Sequence, residues 1–578
     1  MPQCLPTLGA MSASPSSPLA APRAAATLVL VRDAAAGIEV LLVQRAERGD
    51  RNSGAWVFPG GIVDAGDGAA QDLCAGLTEA QASARLDLAE GGLAFHVAAL
   101  RECFEEVGLL LVCDAQGAPL AVGAALAARL EPLRTALHRG EATLATLCER
   151  AGGARLAVDG LAYLSHWLTP IGLAKRFDTR FFVAEAPQGQ HAVPDGSESV
   201  ALRWLRPADA LANHDVRGNA GMKLMTPTLA TLRTLARFDS VHALMSWARA
   251  PRDVAVTLPR LGTGAKGKRP VMPDEPAWAE LGRIDPEGHG NGSCALRPGV
   301  AVRLSERVIR VSADNGSVMT GPGTNTYLLA SGNAQNEWAA IDPGPDDADH
   351  VRAILAAAPG PIGWIFATHT HLDHSPACAA LHAATGAPVH GRIAAHPEWQ
   401  DKHFAPQVLL SGGERIALGQ STTLRVIHTP GHASNHLCYL LEEEKTLFTG
   451  DHVMQSSTVV INPPDGDMAA YIASLRELLS LDLDWLGPGH GFLMADPRRA
   501  IQAIIEHRGK REAKVIDALR DLGPAAIDAL LAQVYDDVPA RMHGVATRSL
   551  RAHLIKLCVE GRAFEQAGGA GECWALAP

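Results

Sequence analysis

Three histidines and an aspartate crowd the stretch THTHLDHS, Thr368 to Ser375: His369, His371, Asp373 and His374. Neutral imidazole suits zinc, iron and manganese, and a carboxylate completes such a site. Further donors follow, each beside small or turn-forming residues: His432 in HTPGHAS, Asp451 in FTGDH and His490 in GPGHG. His369, His371 and His432 can hold one ion. Asp373, His374 and His490 can hold a second, and Asp451 can bridge them. Two ions about 3.5–4 Å apart share a water, lower its pKa and steady a leaving oxygen or sulfur. The expected ions are two Zn²⁺, or Mn²⁺ or Fe²⁺ in their place, and Asp373 is a catalytic candidate as well as a ligand. His436, four residues past His432, is a candidate for touching substrate or donating a proton.

A second constellation is RECFEEVG, Arg101 to Gly108. On a helix, Glu102, Glu105 and Glu106 share a face. Three like charges side by side repel, and a bound Mg²⁺ or Mn²⁺ would relieve that repulsion, because hard cations take carboxylate oxygens. The three glutamates are therefore metal-ligand and catalytic candidates. Arg101 reaches Glu105 at i+4 and could orient it, and Gly108 allows the chain to turn as the helix ends.

These residues need elements to hold them. The apolar run WIFA before THTHLDH predicts a strand whose end presents the donors on a loop. VIRVSA, NTYLLA, WAAIDPG, TLRVIH, LCYLLEEE and TLFTGDH are further strand candidates in the C-terminal half. In the N-terminal half, ATLVLVR, IEVLLVQR, RFFVAEAP and ALRWLRP read as strands, HVAALRECFEEVGLLL as a helix, and the Ala/Leu-rich segment from about Leu120 to Leu164 as helical. Strands interleaved with helices predict α/β and α+β architecture. Between about Pro251 and Pro298 the chain is dense in Gly and Pro without apolar period, which predicts a linker over 251–298.

The 578 residues are too many for one core and predict several domains. With 47% hydrophobic residues the chain is not mostly disordered. A net charge of −11 gives no general surface for polyanions. Ten cysteines without a CxxC pair read as reduced thiols. Residues 1–20 are expected to be a disordered tail rather than a secretion signal. No apolar run approaches the roughly 20 residues of a membrane helix. A soluble cytoplasmic protein without a membrane partner is expected.

HxHxDH with the later His432, Asp451 and His490 resembles the metallo-β-lactamase superfamily over roughly Val300 to His507. That resemblance implies an αββα sandwich with metals at one edge, and spans substrates from lactams to thioesters and phosphodiesters. GTNTYLL, THTHLDHS and TPGHASNH are similar to the branch of lactamase-like endoribonucleases and acyl-carrier thioesterases. HRGKREAKVIDAL with RSLRAHLIKLCVEGRAF resembles the small winged-helix-like domain appended in that branch, to which a packing or substrate-gating role is assigned.

RExxEExG resembles the core of the Nudix box, with Cys103 and Leu109 at its aliphatic positions. The box begins with Gly and a Glu six residues later. FPGGIVD supplies Gly60 and Gly61, but some thirty extra residues intervene, and the position eight before Arg101 is Leu93. Asp64 and Glu90 are the expected substitutes for the displaced carboxylate. Such an insertion, and LLVQRAERGDRNSGAWVFPGG with Arg51, resemble the peroxisomal coenzyme A diphosphatases. Gly60, Gly61, Arg176 and Arg180 are the substrate-binding candidates; the arginines could face a phosphate or solvate a strand edge.

The expected organisation is a Nudix α/β/α sandwich with helical insertions over 21–250, the linker, a metallo-β-lactamase αββα sandwich over 299–507, a winged-helix-like domain over 508–568 and a tail over 569–578. The expected function is a bifunctional metal-dependent hydrolase. One half cleaves a thioester or similar ester and the other a pyrophosphate. The substrate is a small molecule such as acyl-coenzyme A or another nucleotide derivative. The alternatives are RNA processing by a phosphodiesterase joined to a cap pyrophosphatase, and a ligand-sensing, non-catalytic Nudix fold beside an active hydrolase.

Overall fold

A computed structural model describes residues 21–47, 49, 52–214, 221–455, 458–568 and 571–578. The expected tail over 1–20 and the Arg51 candidate lie outside the described residues. The chain divides into two compact units, one ending at Leu261 and including Glu287–His289, the other formed by Gly262–Pro286 and Gly290–Pro578. No helix among the described residues is long and apolar enough to cross a membrane.

The first unit is built on a mixed sheet. Strand β1 (Arg23–Ala34) lies between β2 (Gly37–Arg45), antiparallel to it, and β5 (Phe177–Glu185), parallel to it. β3 (Gly60–Ile62) also pairs with β1, β4 (Ala162–Leu168) pairs with β5, and β6 (Ser199–Leu205) pairs with β2. The glutamate string lies on helix α1 (Gly92–Val107), which packs Leu100, Cys103 and Phe104 against the sheet. Gly91 and Gly108 flank α1 in left-handed conformation, with φ +85° and +73°. Glu79 caps its start by accepting the N–H groups of Gly91, Gly92 and Leu93.

The expected helical stretch over 120–164 is only partly so. Helices Ala124–His138 and Leu144–Arg150 form, but Gly152 and Gly153 at positive φ end the second, and β4 follows with alternating burial.

The second unit contains two facing sheets. One runs β7 (Val308–Ser312), β8 (Asn325–Ala330), β9 (Trp338–Ile341), β10 (Ile362–Phe366) and β11 (Val389–Gly391), with a short strand at each edge. The other runs β12 (Thr423–His428), β13 (Leu437–Leu441), β14 (Thr446–Gly450) and β15 (Trp485–Pro488), again with short edge strands. Tyr327, Phe366, Tyr439 and Phe448 fill the space between them. Helices Ala348–Ala357 and Ala377–Thr385 cover the first outer face, and Met468–Leu478 covers the second. This is an αββα sandwich.

The Gly/Pro-rich stretch expected to be a linker carries regular structure. It forms a hairpin, Arg260–Gly264 with Gly267–Val271, and a helix, α2 (Trp278–Ile284). Its glycines serve close packing. A Cβ on Gly292 would lie 2.6 Å from Leu281 Cδ2, and one on Gly262 would lie 2.9 Å from Leu281 Cδ1. Leu281 thus sits in a small core with Val271, Ala277 and Phe492.

Helix α3 (Pro497–Leu522) runs unbroken through the expected boundary at 507/508. It packs on α4 (Ile527–Val534) and α5 (His543–Val559). The expected tail over 569–578 instead holds a strand, Gly571–Leu576, paired with Ala563–Gly568, and Trp574 is buried in that core.

Candidate metal centres

All seven C-terminal donors come from loops at strand ends. THTHLDH follows β10, His432 follows β12, Asp451 follows β14 and His490 follows β15. They converge as two close-set groups: His369, His371 and His432, and Asp373, His374, Asp451 and His490. In the first, His371 Nδ1 lies 2.9 Å from His369 Nε2 and 3.0 Å from His432 Nε2. In the second, Asp451 Oδ1 is 3.3 Å from His374 Nε2 and 3.1 Å from His490 Nε2, while Asp373 Oδ2 is 3.3 Å from both nitrogens. Asp451 Oδ2 is also 3.7 Å from His432 Nε2, which puts this carboxylate between the groups.

The ring nitrogens facing away are tied down. His432 Nδ1 donates to Val460 O at 2.7 Å and His490 Nδ1 to Gly323 O at 3.2 Å. His374 Nδ1 donates to Asp342 Oδ2 at 2.9 Å. Asp342 also accepts from the Thr368 N–H and hydroxyl, both at 2.7 Å, and holds a left-handed backbone at φ +51°. Such outer partners fix the tautomer and aim the remaining nitrogen lone pair inwards. The loop carrying His490 is held by Asn325 of GTNTYLL, whose amide donates to Pro488 O and Gly491 O. Gly489 is required for close approach: a Cβ there would sit 2.7 Å from Asp451 Oδ1.

Burial and the neighbouring imidazoles hold His369 well below its ordinary pKa, and burial with His432 lowers His371 to about 3. Burial opposes protonation of His374 and His490 too, but the adjacent carboxylates win, raising His374 well above its ordinary value and His490 to about 10. Asp373 and Asp451 are correspondingly lowered despite burial. His374 Nε2, His490 Nε2 and Asp451 Oδ1 are buried without an aligned hydrogen-bond partner. Five imidazoles, two carboxylates and these orphaned atoms fit a pair of divalent cations.

His436 is not placed to touch substrate. It is fully buried, stacks on His369 with ring centroids 5.1 Å apart, and bonds Thr429 Oγ1 through Nδ1.

On α1, Glu102 and Glu105 pair with Arg101, and with Glu106 they do not form a close-set donor group among the described residues. Arg101 Nη1 lies 2.9 Å from Glu102 and 3.5 Å from Glu105. Burial raises all three carboxyls, Glu105 to about 7 and Glu106 well above 4.5. A divalent cation beside these carboxyls would compete with their protons.

Of the two expected substitutes, Asp64 comes within 3.7 Å of Arg101 Nη2. Asp64 caps helix Ala65–Ala69, and Glu90 is exposed. Fully buried Asp67 lies closer, accepting from Arg101 Nε at 2.8 Å and Nη2 at 2.9 Å. Counting forward six residues from Gly61 reaches Asp67, so the insertion falls after the carboxylate; counting back from Arg101 reached Leu93, a core residue.

Gly61 is needed because a Cβ there would lie 2.3 Å from Glu102 Oε1, and Gly60 because one would meet Ala26 O at 2.5 Å. Neither arginine solvates a strand edge: Arg180 is on β5, which lies between β1 and β4, and Arg176, just before it, is buried. Arg180 is buried over the Phe95 ring and pairs with Asp178, and Arg176 donates to Thr169 O.

Comparison with known proteins agrees with this geometry. Residues 319–490 match the family described as the Metallo-beta-lactamase superfamily, and residues 526–574 the Beta-lactamase associated winged helix domain. Beta-lactamase-like protein 2 homolog of Drosophila melanogaster is 30% identical over 281 residues, covering 46% of this chain and 93% of that protein. The chain belongs to the metallo-beta-lactamase superfamily.

The Atrochrysone carboxyl ACP thioesterase of Aspergillus chevalieri is 31% identical to this superfamily member, covering 46% of this chain and 86% of that protein. Residues 79–228 match the NUDT19 Nudix domain. A solved NUDIX hydrolase from Alicyclobacillus acidocaldarius aligns at 28% identity and a TM-score of 0.31, over 41% of this chain and 98% of that one. The chain therefore joins a Nudix domain, a metallo-beta-lactamase domain and a winged helix. It is a hydrolase, and both of its hydrolase families are metal-dependent.

Proposed function

We propose that the C-terminal unit hydrolyses a thioester, that the Nudix domain hydrolyses the pyrophosphate of a nucleotide derivative, and that acyl-coenzyme A is a substrate of both. The observation that carries the first half is the convergence of seven donors into two groups with Asp451 between them. His369, His371 and His432 would hold one ion and Asp373, His374 and His490 the other, with Asp451 shared; Zn²⁺, Mn²⁺ or Fe²⁺ suits these donors. Bound there, the ions would supply an activated water and positive charge beside the leaving sulfur. Asp373, the most exposed of the second group, is placed to hold or pass a proton. Asp342 keeps His374 oriented. The thioesterase name of one relative favours a thioester over a phosphodiester.

In the Nudix domain, Glu102, Glu105 and Glu106 would hold Mg²⁺ or Mn²⁺ against a pyrophosphate, with Arg101 fixing two of them through its anchorage on Asp67. The cytoplasm is the compartment that fits nine described cysteines that are all free thiols.

The test is mass spectrometry of products after incubating the full chain with acyl-coenzyme A, Zn²⁺ and Mn²⁺. Free coenzyme A that disappears in His369→Ala supports thioester cleavage. 3′,5′-ADP with acyl-phosphopantetheine that disappears in Glu105→Gln supports pyrophosphate cleavage. Unchanged substrate with metals bound overturns the reading in favour of other phosphodiesters.

A further inference from the structure

Three loops that carry or brace the C-terminal donors leave large apolar side chains in solvent. Leu372, 61% exposed, lies between His371 and Asp373. Val318 and Met319 are exposed in the turn that leads to Thr324, whose hydroxyl donates to Asp373. Ile393 follows Arg392, whose carbonyl accepts from Asn435, and the same amide donates to Thr370 of the THTHLDH loop. Trp399, 63% exposed, precedes Gln400, which bridges His371 and accepts from Thr370 Oγ1.

Trp399 also holds a left-handed backbone at φ +69°, a conformation a bulky residue adopts only when its surroundings impose it. Its indole is covered by the Arg548 guanidinium, 5.4 Å from the ring centroid, contributed by α5 of the winged helix. Scattered exposed apolar residues need no explanation, but a set gathered on the loops of one hydrolytic site does. The donors are polar and mostly buried, with His371 and Asp373 half-buried at the opening, so a substrate's reacting group goes to them and its apolar part meets the loops.

We propose that these side chains form an acyl-chain surface, that Arg548 holds Trp399 in it, and that the substrates are thioesters with a long apolar acyl chain. This rests on the thioester reading above. In the reaction, water's oxygen bonds to the acyl carbon, the C–S bond breaks, and the thiol and carboxylic acid share the two hydrogens of water. The winged helix is then a specificity element, because Trp399 depends on Arg548.

The experiment compares kcat/KM for acetyl-, hexanoyl- and decanoyl-coenzyme A in the zinc-loaded full chain, with Trp399→Ala, Arg548→Ala and Arg548→Lys. The wild type is expected to favour decanoyl over acetyl by at least about tenfold, a modest fraction of what burying the added methylenes could give. Trp399→Ala is expected to collapse that ratio, Arg548→Ala to reduce it, and Arg548→Lys, which keeps the cation, to restore most of it. A flat wild-type series, or a Trp399→Ala that lowers every chain length equally, overturns the proposal. If no thioester turns over, the thioester reading fails by itself. Calorimetry with non-hydrolysable methyl and decyl thioethers of coenzyme A then decides the surface. Tighter decyl binding that Trp399→Ala removes sustains it, and equal affinities overturn it.

Discussion

Arg310 and Glu280 form a fully buried, two-pronged ion pair, at 2.5 Å and 2.9 Å, that joins strand β7 to helix α2. Glu280 Oε2 also accepts the Leu493 N–H, three residues past His490. The Gly262–Pro286 part of the segment that composition marks as a linker therefore belongs to the second unit and braces the end of the loop carrying a metal donor. Removing one partner leaves a buried charge uncompensated. Glu280→Ala is expected to destabilise the second unit by about 3–5 kcal/mol. Denaturant unfolding measures this, and a loss below about 1 kcal/mol would refute the bracing role. A fragment beginning at residue 299, which lacks α2, is expected to unfold more readily still.

The histidine cluster was readable from sequence because its donors are chemically unusual and four of them are nearly contiguous. Apolar runs ending at those donors marked strands, and the αββα form was what the metallo-β-lactamase resemblance implied. What was not readable has physical reasons. Gly262 and Gly292 read as flexibility but serve contact with Leu281. Asp342 ends the strand candidate WAAIDPG with nothing in the sequence to single it out, and its role appears only when β9 and β10 lie side by side and bring it to Thr368 and His374. Asp67 was legible only by counting from the glycine rather than from the arginine.

Asp67 is expected to be indispensable to the Nudix domain. It satisfies two nitrogens of Arg101, which in turn lies against Glu102 and Glu105. Asp67→Ala should cost about 3–5 kcal/mol of stability, the range for breaking a buried pair, and should abolish Mg²⁺-dependent pyrophosphate cleavage. Glu90→Ala, at an exposed position, should change stability by no more than about 0.5 kcal/mol. Equal effects of the two would return the missing carboxylate to an open question.

Asp342→Ala is expected to weaken one metal site selectively. Without the carboxylate, His374 directly loses the partner that fixes its tautomer, while in the three-histidine group His432 keeps Val460 O and His369 is affected only through Thr368, whose hydroxyl loses its acceptor. Outer-partner losses typically cost 10–100-fold in metal affinity. Chelator competition followed by zinc analysis should show the weaker ion lost first in the variant, with the other retained. Two ions lost in parallel, or neither weakened, would contradict this.

Glu105 should make the Nudix domain sensitive to pH. Burial is the main cause of its shift from 4.5 to about 7, and Arg101 offsets part of it. With the folded pKa above the unfolded one, the folded state binds the extra proton between about pH 4.5 and 7. Stability contributed by this group is therefore full below that window, falls as pH rises through it, and is level above about pH 7. A cation competes with the same proton, so Mg²⁺ affinity should rise across that window. Glu105→Gln should flatten part of the stability slope in EDTA, raise stability at pH 8 relative to the wild type, and weaken Mg²⁺ binding there. Glu102 and Glu106 are raised as well, so a residual slope is expected. Urea unfolding at pH 5, 7 and 8 reads both effects, and an unchanged slope in the variant would show that Glu105 does not carry the titration.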